Sequence, residues 1–174
     1  MPALTQGVIV ESQEFVRRIE DSTLSMPALV ELLRAVLERG EPFRFEAPGF
    51  SMSPFIQDGD LITVAPLSGA SPGRGDVVAF LRPGSGKLIV HRVVGKRGNA
   101  FLIRGDNAEE SDDLVPAENV LGRVTKVERN GRRVRLGLGP ERYLIAFLTR
   151  RGLLRPLLLW VWPLVRPIVR RLAP

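Results

Sequence analysis

Hydrophobic and polar positions repeat with two different periods along the chain, and each period predicts a different kind of element. Between Ser25 and Glu38 the apolar residues recur at helical spacing and form one stripe. Ser25 as N-cap, Pro27 in the first turn and Gly40 after the last residue favour a helix here. Residues 1–24 have no sustained period, so the sequence predicts a poorly ordered arm followed by one amphipathic helix.

From Pro42 onward the pattern changes to short runs with strand-like alternation, separated by Gly, Pro, Asp and Asn. Asn130–Gly131 is the strongest hairpin signal among these separators. Closely spaced short strands predict a mainly β (α+β) fold, with a compact coiled antiparallel sheet or partial barrel. The seven predicted strands are Phe43–Ala47, Asp60–Ala65, Asp76–Leu81, Lys87–Val94, Ala100–Arg104, Asn119–Val127 and Arg132–Leu136.

Length and composition limit the organisation and the chemistry. A chain of 174 residues, 44% of them hydrophobic, is long enough for one domain with appendages. We expect an N-terminal arm and helix (1–41), a β-domain (42–139) and a basic apolar helical tail (140–174). With no cysteine and one histidine, disulfide scaffolds, cysteine nucleophiles and most zinc sites are excluded. We therefore expect neither a metal nor a cofactor.

Charge is distributed unevenly, which points to an anionic partner for the C-terminal end. Residues 1–122 carry 12 Lys and Arg against 17 Asp and Glu, whereas residues 123–174 carry 13 against 2. The longest charge-free run of the tail, Pro156–Val165, has 10 residues. A helix of that length spans about 15 Å, half of the ~30 Å hydrocarbon core, so a transmembrane helix is disfavoured.

The tail instead has the pattern of a helix lying in a membrane interface. Its arginines fall on one side of a helical wheel, and tryptophans suit the headgroup boundary, although prolines must interrupt the helix. The alternative is a helix that closes over the β-domain or over a dimer partner. We favour an anionic membrane surface and, without a recognition motif, expect no nucleic acid. The residues concerned are Arg151, Arg155, Arg166, Arg170, Trp160, Trp162, Pro163 and Pro167.

Three segments carry candidate chemistry. Ser51 lies in a turn-rich stretch that can present a hydroxyl, which needs a nearby base to act as a nucleophile. His91 lies on a predicted strand, where its imidazole is either that base or a packed core residue. The acidic segment Arg104–Asp113 is either a solvated turn or the source of a carboxylate that orients the imidazole.

Taken together, these segments resemble the ordered boxes of type I signal peptidases. The Gly-x-Ser-Met opening is also similar to the self-cleaving LexA-like repressors, which share that peptidase fold. The boxes cover about half of the chain, and five of them in order make a chance match improbable. They are Gly49-x-Ser51-Met52-x-Pro54, Gly59-Asp60, Gly75-Asp76-Val77-Val78, Val90-His91-Arg92-Val93 and Gly105-Asp106-Asn107 followed by Asp112-Asp113.

The resemblance implies roles for individual residues. Bacterial leader peptidases and LexA-like proteins use a lysine as the base. With His91 at that place, the chain resembles instead the endoplasmic-reticulum and sporulation-type signal peptidases, which use Ser, His and Asp. By this resemblance Ser51 is the nucleophile and His91 the general base. The orienting carboxylate is Asp106, Asp112 or Asp113, and we favour Asp113, with Asp106 needed for the loop or the triad.

The sequence departs from the family pattern in two places. Signal peptidases commonly have a serine that helps the oxyanion hole where this chain has Gly49, which leaves the Ser51 backbone amide as a donor. The N-terminus has neither a membrane anchor nor a signal-peptide pattern, so the tail is the candidate anchor. We accordingly expect peripheral association with a membrane, most simply a bacterial inner membrane.

Three functions from different classes follow. The leading one is a serine endopeptidase that removes a leader or signal segment from a protein or peptide. The second is a LexA-like self-processing regulatory module, although residues 1–24 contain no Ala-Gly cleavage cue and no helix-turn-helix signature. The third is a non-catalytic protein whose basic C-terminal segment binds a membrane surface or nucleic acid. The sequence leaves the oligomeric state open.

Overall fold

The computed structural model describes residues 25–108 and 113–160, with Asp113 described by its backbone alone. Helix α1 (Met26–Glu38) comes first and helix α2 (Arg142–Arg150) follows the strands, after which residues 154–160 are also helical. A 3₁₀ turn spans Ala117–Asn119. The eight strands in these described ranges are β1 (Phe43–Ala47), β2 (Asp60–Ala65), β3 (Val77–Leu81), β4 (Leu88–Arg97), β5 (Ala100–Arg104), β6 (Asp113–Pro116), β7 (Val120–Arg129) and β8 (Arg132–Val134).

All eight strands belong to one antiparallel sheet. Its order is β1-β2-β7-β3-β4-β5-β6, with β8 paired to β7. The sheet is curled, because β1 and the first half of β4 line one groove although three strands lie between them in the order. The predicted mainly β fold with a coiled antiparallel sheet is therefore confirmed.

Apolar side chains pack on both faces of this sheet. Leu33 and Leu37 of α1 are buried against one face, where Ile62 and Val64 of β2 also lie. Gly122 of β7 allows β2 to lie close to it, because a Cβ at Gly122 would be 2.6 Å from the Ala65 carbonyl oxygen. A second cluster, which includes Phe80 and Phe101, fills the other side. Burying one such apolar side chain completely stabilises the fold by about 1.5–3 kcal/mol relative to leaving it exposed.

The predicted helix and hairpin are both present. Ser25 occupies the N-cap position and Pro27 the first turn, but the Ser25 side chain makes no capping hydrogen bond. Asn130 and Gly131 join β7 to β8 with φ of +50° and +72°. Positive φ at both central residues matches the twist of the paired strands, which explains the Asn-Gly preference.

Strand β6 is not among the seven predicted strands, and it begins at Asp113, the last residue of the acidic segment. It pairs with β5, with Asp113 opposite Ile103 and Val115 opposite Phe101. Val115 is fully buried. A four-residue strand is too short to show periodicity, so contact with β5 decides its conformation.

The described part of the tail packs on the β-domain. Ile145 and Ala146 of α2 are buried, and Leu154 joins Ile145 and Phe55 in a third apolar cluster. Residues 161–174 lie outside the described residues, and with them Trp162, Pro163, Arg166, Pro167 and Arg170 of the predicted interfacial helix. No helix within residues 25–108 and 113–160 is long and apolar enough to cross a membrane.

Candidate active site

Ser51 lies on the connection between β1 and β2, and neighbouring residues fix that connection. Gly49 has a φ of +87°, and its amide donates to Asp58 Oδ1 at 2.6 Å. Met52 is only 4% exposed, and its carbonyl accepts the Ile56 amide at 3.1 Å. The buried Met52 side chain anchors the turn, while the half-buried Ser51 lines a groove.

His91 reaches Ser51 from β4. The residue lies opposite Val78 of β3 and is buried, with its ring centroid 6.2 Å from that of Phe80. Its Nε2 atom is 2.9 Å from Ser51 Oγ. That separation is within hydrogen-bond reach, the range required for a base to activate a hydroxyl nucleophile.

Residues 105–108 form a loop that packs against this pair. A Cβ on Gly105 would lie 2.9 Å from His91 Nε2 and 2.8 Å from the Ser51 carbonyl oxygen. The Asn107 amide donates to that same carbonyl at 2.7 Å, and Asn107 Nδ2 donates to the Phe50 carbonyl at 3.3 Å. A glycine is required at position 105 because only hydrogen fits there.

Asp106 of this loop forms a buried ion pair with Arg92, the residue after His91. Arg92 Nε and Nη2 donate to the carboxylate at 2.9 and 2.7 Å, and neither side chain is exposed. Thr149 Oγ1 of α2 donates to Asp106 Oδ1 at 3.0 Å. The structure thus places Asp106 among partners that hold the loop to β4 and α2.

The same arginine also holds the turn before α2. Arg92 Nη1 donates to the carbonyls of Gly75 and Gly137, each at 2.8 Å. Glu141 Oε1 accepts the amides of Gly137 and Gly139 at 2.7 and 3.0 Å. Hydrogen bonds from its own backbone amide and from these two amides lower the pKa of Glu141 below its ordinary value.

The other candidate carboxylates are less fully described. Asp112 lies outside the described residues, as does the side chain of Asp113, whose backbone pairs with Ile103 of β5. The assignment of Asp113 as the residue that orients His91 therefore stays a prediction. Among the described residues, no cluster of three or more His, Cys, Asp or Glu could hold a metal ion.

The Ser51–His91 pair opens into a groove of about 830 Å³. Within the described residues β1 pairs only with β2, and residues 88–91 of β4 pair only with β3. Two strand edges therefore border the groove. Its walls are largely apolar and include Met26, Leu29, Phe45, Ala47, Met52, Leu88 and Val90.

Sequence reasoning gave no role to Arg92, Asn107 or Thr149. Arg92 belongs to the motif Val90-His91-Arg92-Val93, but buried arginines are too rare to be expected from a strand pattern. Thr149 carries a weak signal, because it is a hydroxyl residue one turn after Ile145 on the apolar stripe of a helix.

A serine hydroxyl and an imidazole in contact, within a groove bordered by strand edges on a curled antiparallel sheet, are features of serine peptidases. The chain belongs to the Peptidase S24-like family, whose model matches residues 10–125. That family supports serine peptidase activity in general and does not distinguish signal peptidases from LexA-like self-cleaving modules. No curated protein matches the sequence.

Proposed function

We propose that this protein is a serine endopeptidase that removes a leader or signal segment from a protein or peptide. Ser51 is the nucleophile and His91 the general base. The observation that carries the proposal is the 2.9 Å separation of Ser51 Oγ and His91 Nε2 at the groove. The order of the motifs, which resembles that of type I signal peptidases, supports the choice of a leader segment over other peptides.

In the proposed mechanism His91 Nε2 takes the proton of the Ser51 hydroxyl as Oγ attacks the scissile carbonyl carbon. The neutral imidazole must then carry its own proton on Nδ1. The imidazolium gives its proton to the leaving amine as the C–N bond breaks, which leaves an acyl-enzyme. A water molecule, deprotonated by His91, attacks the ester, and the proton returns to Ser51 Oγ as it leaves.

The oxyanion formed in each step needs donors that are already in place. The Gly49 amide already donates to Asp58 Oδ1 at 2.6 Å, so we do not assign it to the oxyanion. We assign the Ser51 backbone amide as the donor to the oxyanion. With glycine at position 49 no side-chain hydroxyl assists from there, and losing one such donor costs roughly 10²–10³ in rate. We therefore expect a slow enzyme unless another group supplies a donor.

The groove suits an extended peptide. A substrate strand can add to the open edge of β1 or of residues 88–91, with main-chain hydrogen bonds for affinity and apolar pockets for its side chains. Small residues before the cut are implied by the family resemblance.

The test is cleavage of a fluorogenic leader peptide with alanine before the cut by full-length protein. Ser51→Ala and His91→Ala are each expected to abolish cleavage while the far-UV circular dichroism spectrum is unchanged. The matched control is Ser85→Ala, on the exposed turn between β3 and β4, which should cleave like wild type. Cleavage retained by either site variant would refute the assignment.

We further propose that the enzyme works on an anionic membrane surface, with the outer side of the tail as its contact. The large apolar side chains on that side are exposed, and Arg151 lies 5.3 Å above the Phe147 ring. Apolar groups flanked by cations suit anionic lipid. The exposed residues are Tyr143, Leu144, Phe147, Leu153, Leu157, Leu159 and Trp160.

Flotation with vesicles tests this contact. Wild type should float with phosphatidylglycerol-containing vesicles more than with phosphatidylcholine vesicles, and Phe147→Ser/Trp160→Ser should float less. Leu114→Ser, which changes an exposed apolar residue of β6, is the matched control. Equal flotation of all variants would refute the contact, and salt-sensitive binding to duplex DNA without flotation would favour nucleic acid.

A second function, self-processing of the LexA-like kind, is favoured by one observation. Met26 and Leu29 of α1, close to the first described residue, Ser25, line the same groove as Ser51 and His91. Intact mass after prolonged incubation would reveal a truncated species that Ser51→Ala does not form. A rate independent of protein concentration would identify cleavage within one chain.

A further inference from the structure

Helix α2 contacts the loop of residues 105–108 through one buried hydroxyl. Thr149 is only 3% exposed, and its Oγ1 donates to Asp106 Oδ1 at 3.0 Å. Its carbonyl accepts from Arg104 Nη1 at 3.3 Å. Arg104 is the last residue of β5 and Asp106 belongs to the following loop, so Thr149 holds the chain where it leaves the sheet.

The residues on either side of Asp106 lie against Ser51 and His91. Asn107 donates its amide to the Ser51 carbonyl at 2.7 Å. A Cβ on Gly105 would lie 2.9 Å from His91 Nε2. A displacement of Asp106 therefore moves one neighbour relative to the nucleophile and the other relative to the base.

Arg92 and Thr149 bind the Asp106 carboxylate from two different elements of the fold. Its Nε and Nη2 atoms approach Asp106 from β4, whereas Thr149 approaches from α2, and Oδ1 accepts from both Nε and Oγ1. The bidentate arginine fixes the plane of the carboxylate relative to β4, and the Thr149 hydroxyl links the same carboxylate to α2. Losing the hydroxyl leaves the ion pair but removes the hydrogen bond between Asp106 and α2.

We infer that Thr149 is a positioning residue for the Ser51–His91 pair, and that α2 is thereby part of the catalytic apparatus. The inference rests on the proposed peptidase function. Thr149 touches no reacting atom and acts through Asp106 on the loop. Through Thr149 the tail has a role in catalysis that is separate from contact with a membrane.

The test compares full-length Thr149→Val, which has nearly the same shape without the hydroxyl, with Thr149→Ser, which restores it. On the alanine-containing leader peptide, Thr149→Val should lower kcat about tenfold with KM little changed, less than the roughly 10²-fold cost of a 1 Å misplacement. Thr149→Ser should recover most of kcat. Thr125→Val, at an exposed position on β7, is the matched control and should behave like wild type.

A readout without substrate is available because the chain has a single histidine. With ¹³C-labelled histidine, one Cε1–H signal reports the surroundings of His91. That signal should move in Thr149→Val and return in Thr149→Ser. Wild-type kcat together with an unmoved signal in Thr149→Val would overturn the inference even if the melting temperature fell. Absence of cleavage by wild type would instead refute the peptidase function, and the signal would still test the contact.

Discussion

The Arg92–Asp106 ion pair permits a quantitative prediction about stability, because the side chains of both partners are fully buried. Replacing Asp106 by Leu leaves the guanidinium charge without its counterion. Removing one partner of a buried pair costs about 3–5 kcal/mol, a large part of a total stability of about 5–15 kcal/mol. We expect Asp106→Leu to destabilise the protein by that amount.

Arg92→Met should cost more than Asp106→Leu. It leaves a buried carboxylate and also removes the donor to the carbonyls of Gly75 and Gly137, each of which loses a bond of 2.8 Å. An unsatisfied buried acceptor costs about 1–3 kcal/mol. The Asp106→Leu/Arg92→Met double variant removes both charges of the pair and leaves neither one buried without its partner, so it should be more stable than Arg92→Met alone.

Urea unfolding followed by far-UV circular dichroism measures these differences. The control is Lys126→Ala, which removes an ion pair of 2.9 Å with Glu128 at a lysine that is 40% exposed. Pairs of that kind contribute at most about 1 kcal/mol. The reasoning fails if Asp106→Leu costs no more than Lys126→Ala, or if the double variant loses the sum of both single changes.

Three further predictions concern the loop, the turn before α2 and the core. Gly105→Ala should abolish peptide cleavage while the protein stays folded, because the added methyl group would meet His91 Nε2 at 2.9 Å; wild-type rates would contradict this. Because the pKa of Glu141 is lowered in the folded state, the contribution of its carboxylate to stability is complete above about pH 4.5 and is lost as the pH falls through the folded-state pKa. The difference in unfolding free energy between wild type and Glu141→Gln should therefore shrink below about pH 4.5. A difference that stays constant with pH would contradict this. Leu33→Ala should cost about 2–5 kcal/mol in urea unfolding, whereas Leu144→Ala on the exposed side of α2 should cost within about 0.5 kcal/mol.

The β-domain could be predicted from sequence because its signals are local. The alternating residues of Phe43–Ala47 and Asp60–Ala65 give strands with the predicted bounds, and Asn130–Gly131 gives the predicted hairpin. Strand β6 has no such signal, since only its partner β5 makes Asp113–Pro116 extended. The packing of α2 was one of two alternatives, because an amphipathic stripe suits a protein core as well as lipid.

In the candidate site, too, some residues could be identified from the sequence and some contacts could not. Ser51 and His91 could be singled out because their residue types carry chemistry and their motifs occur in a known order. The contacts of Asp106 could not be inferred, because they depend on Arg92 Nε and Thr149 Oγ1, which come from two residues 57 positions apart in the sequence. Only the folded chain determines that this carboxylate faces an arginine.

The cations of the basic C-terminal part fall into two groups, which differ in whether they face the protein or the solvent. Some cations of the basic C-terminal part pair with buried carboxylates of the acidic body, since Arg123 and Arg142 lie 3.5 and 3.4 Å from Asp76 and Arg129 lies 2.7 Å from Asp60. The Asp76 carbonyl in turn accepts the Val93 amide of the His91 strand at 2.8 Å. These inward cations hold α2 and β7 to Asp76 before β3 and to Asp60 of β2, whereas outward ones of the described residues, such as Arg151, suit an anionic surface. Changes to the first group should therefore alter stability and cleavage together, and changes to the second should alter vesicle binding alone.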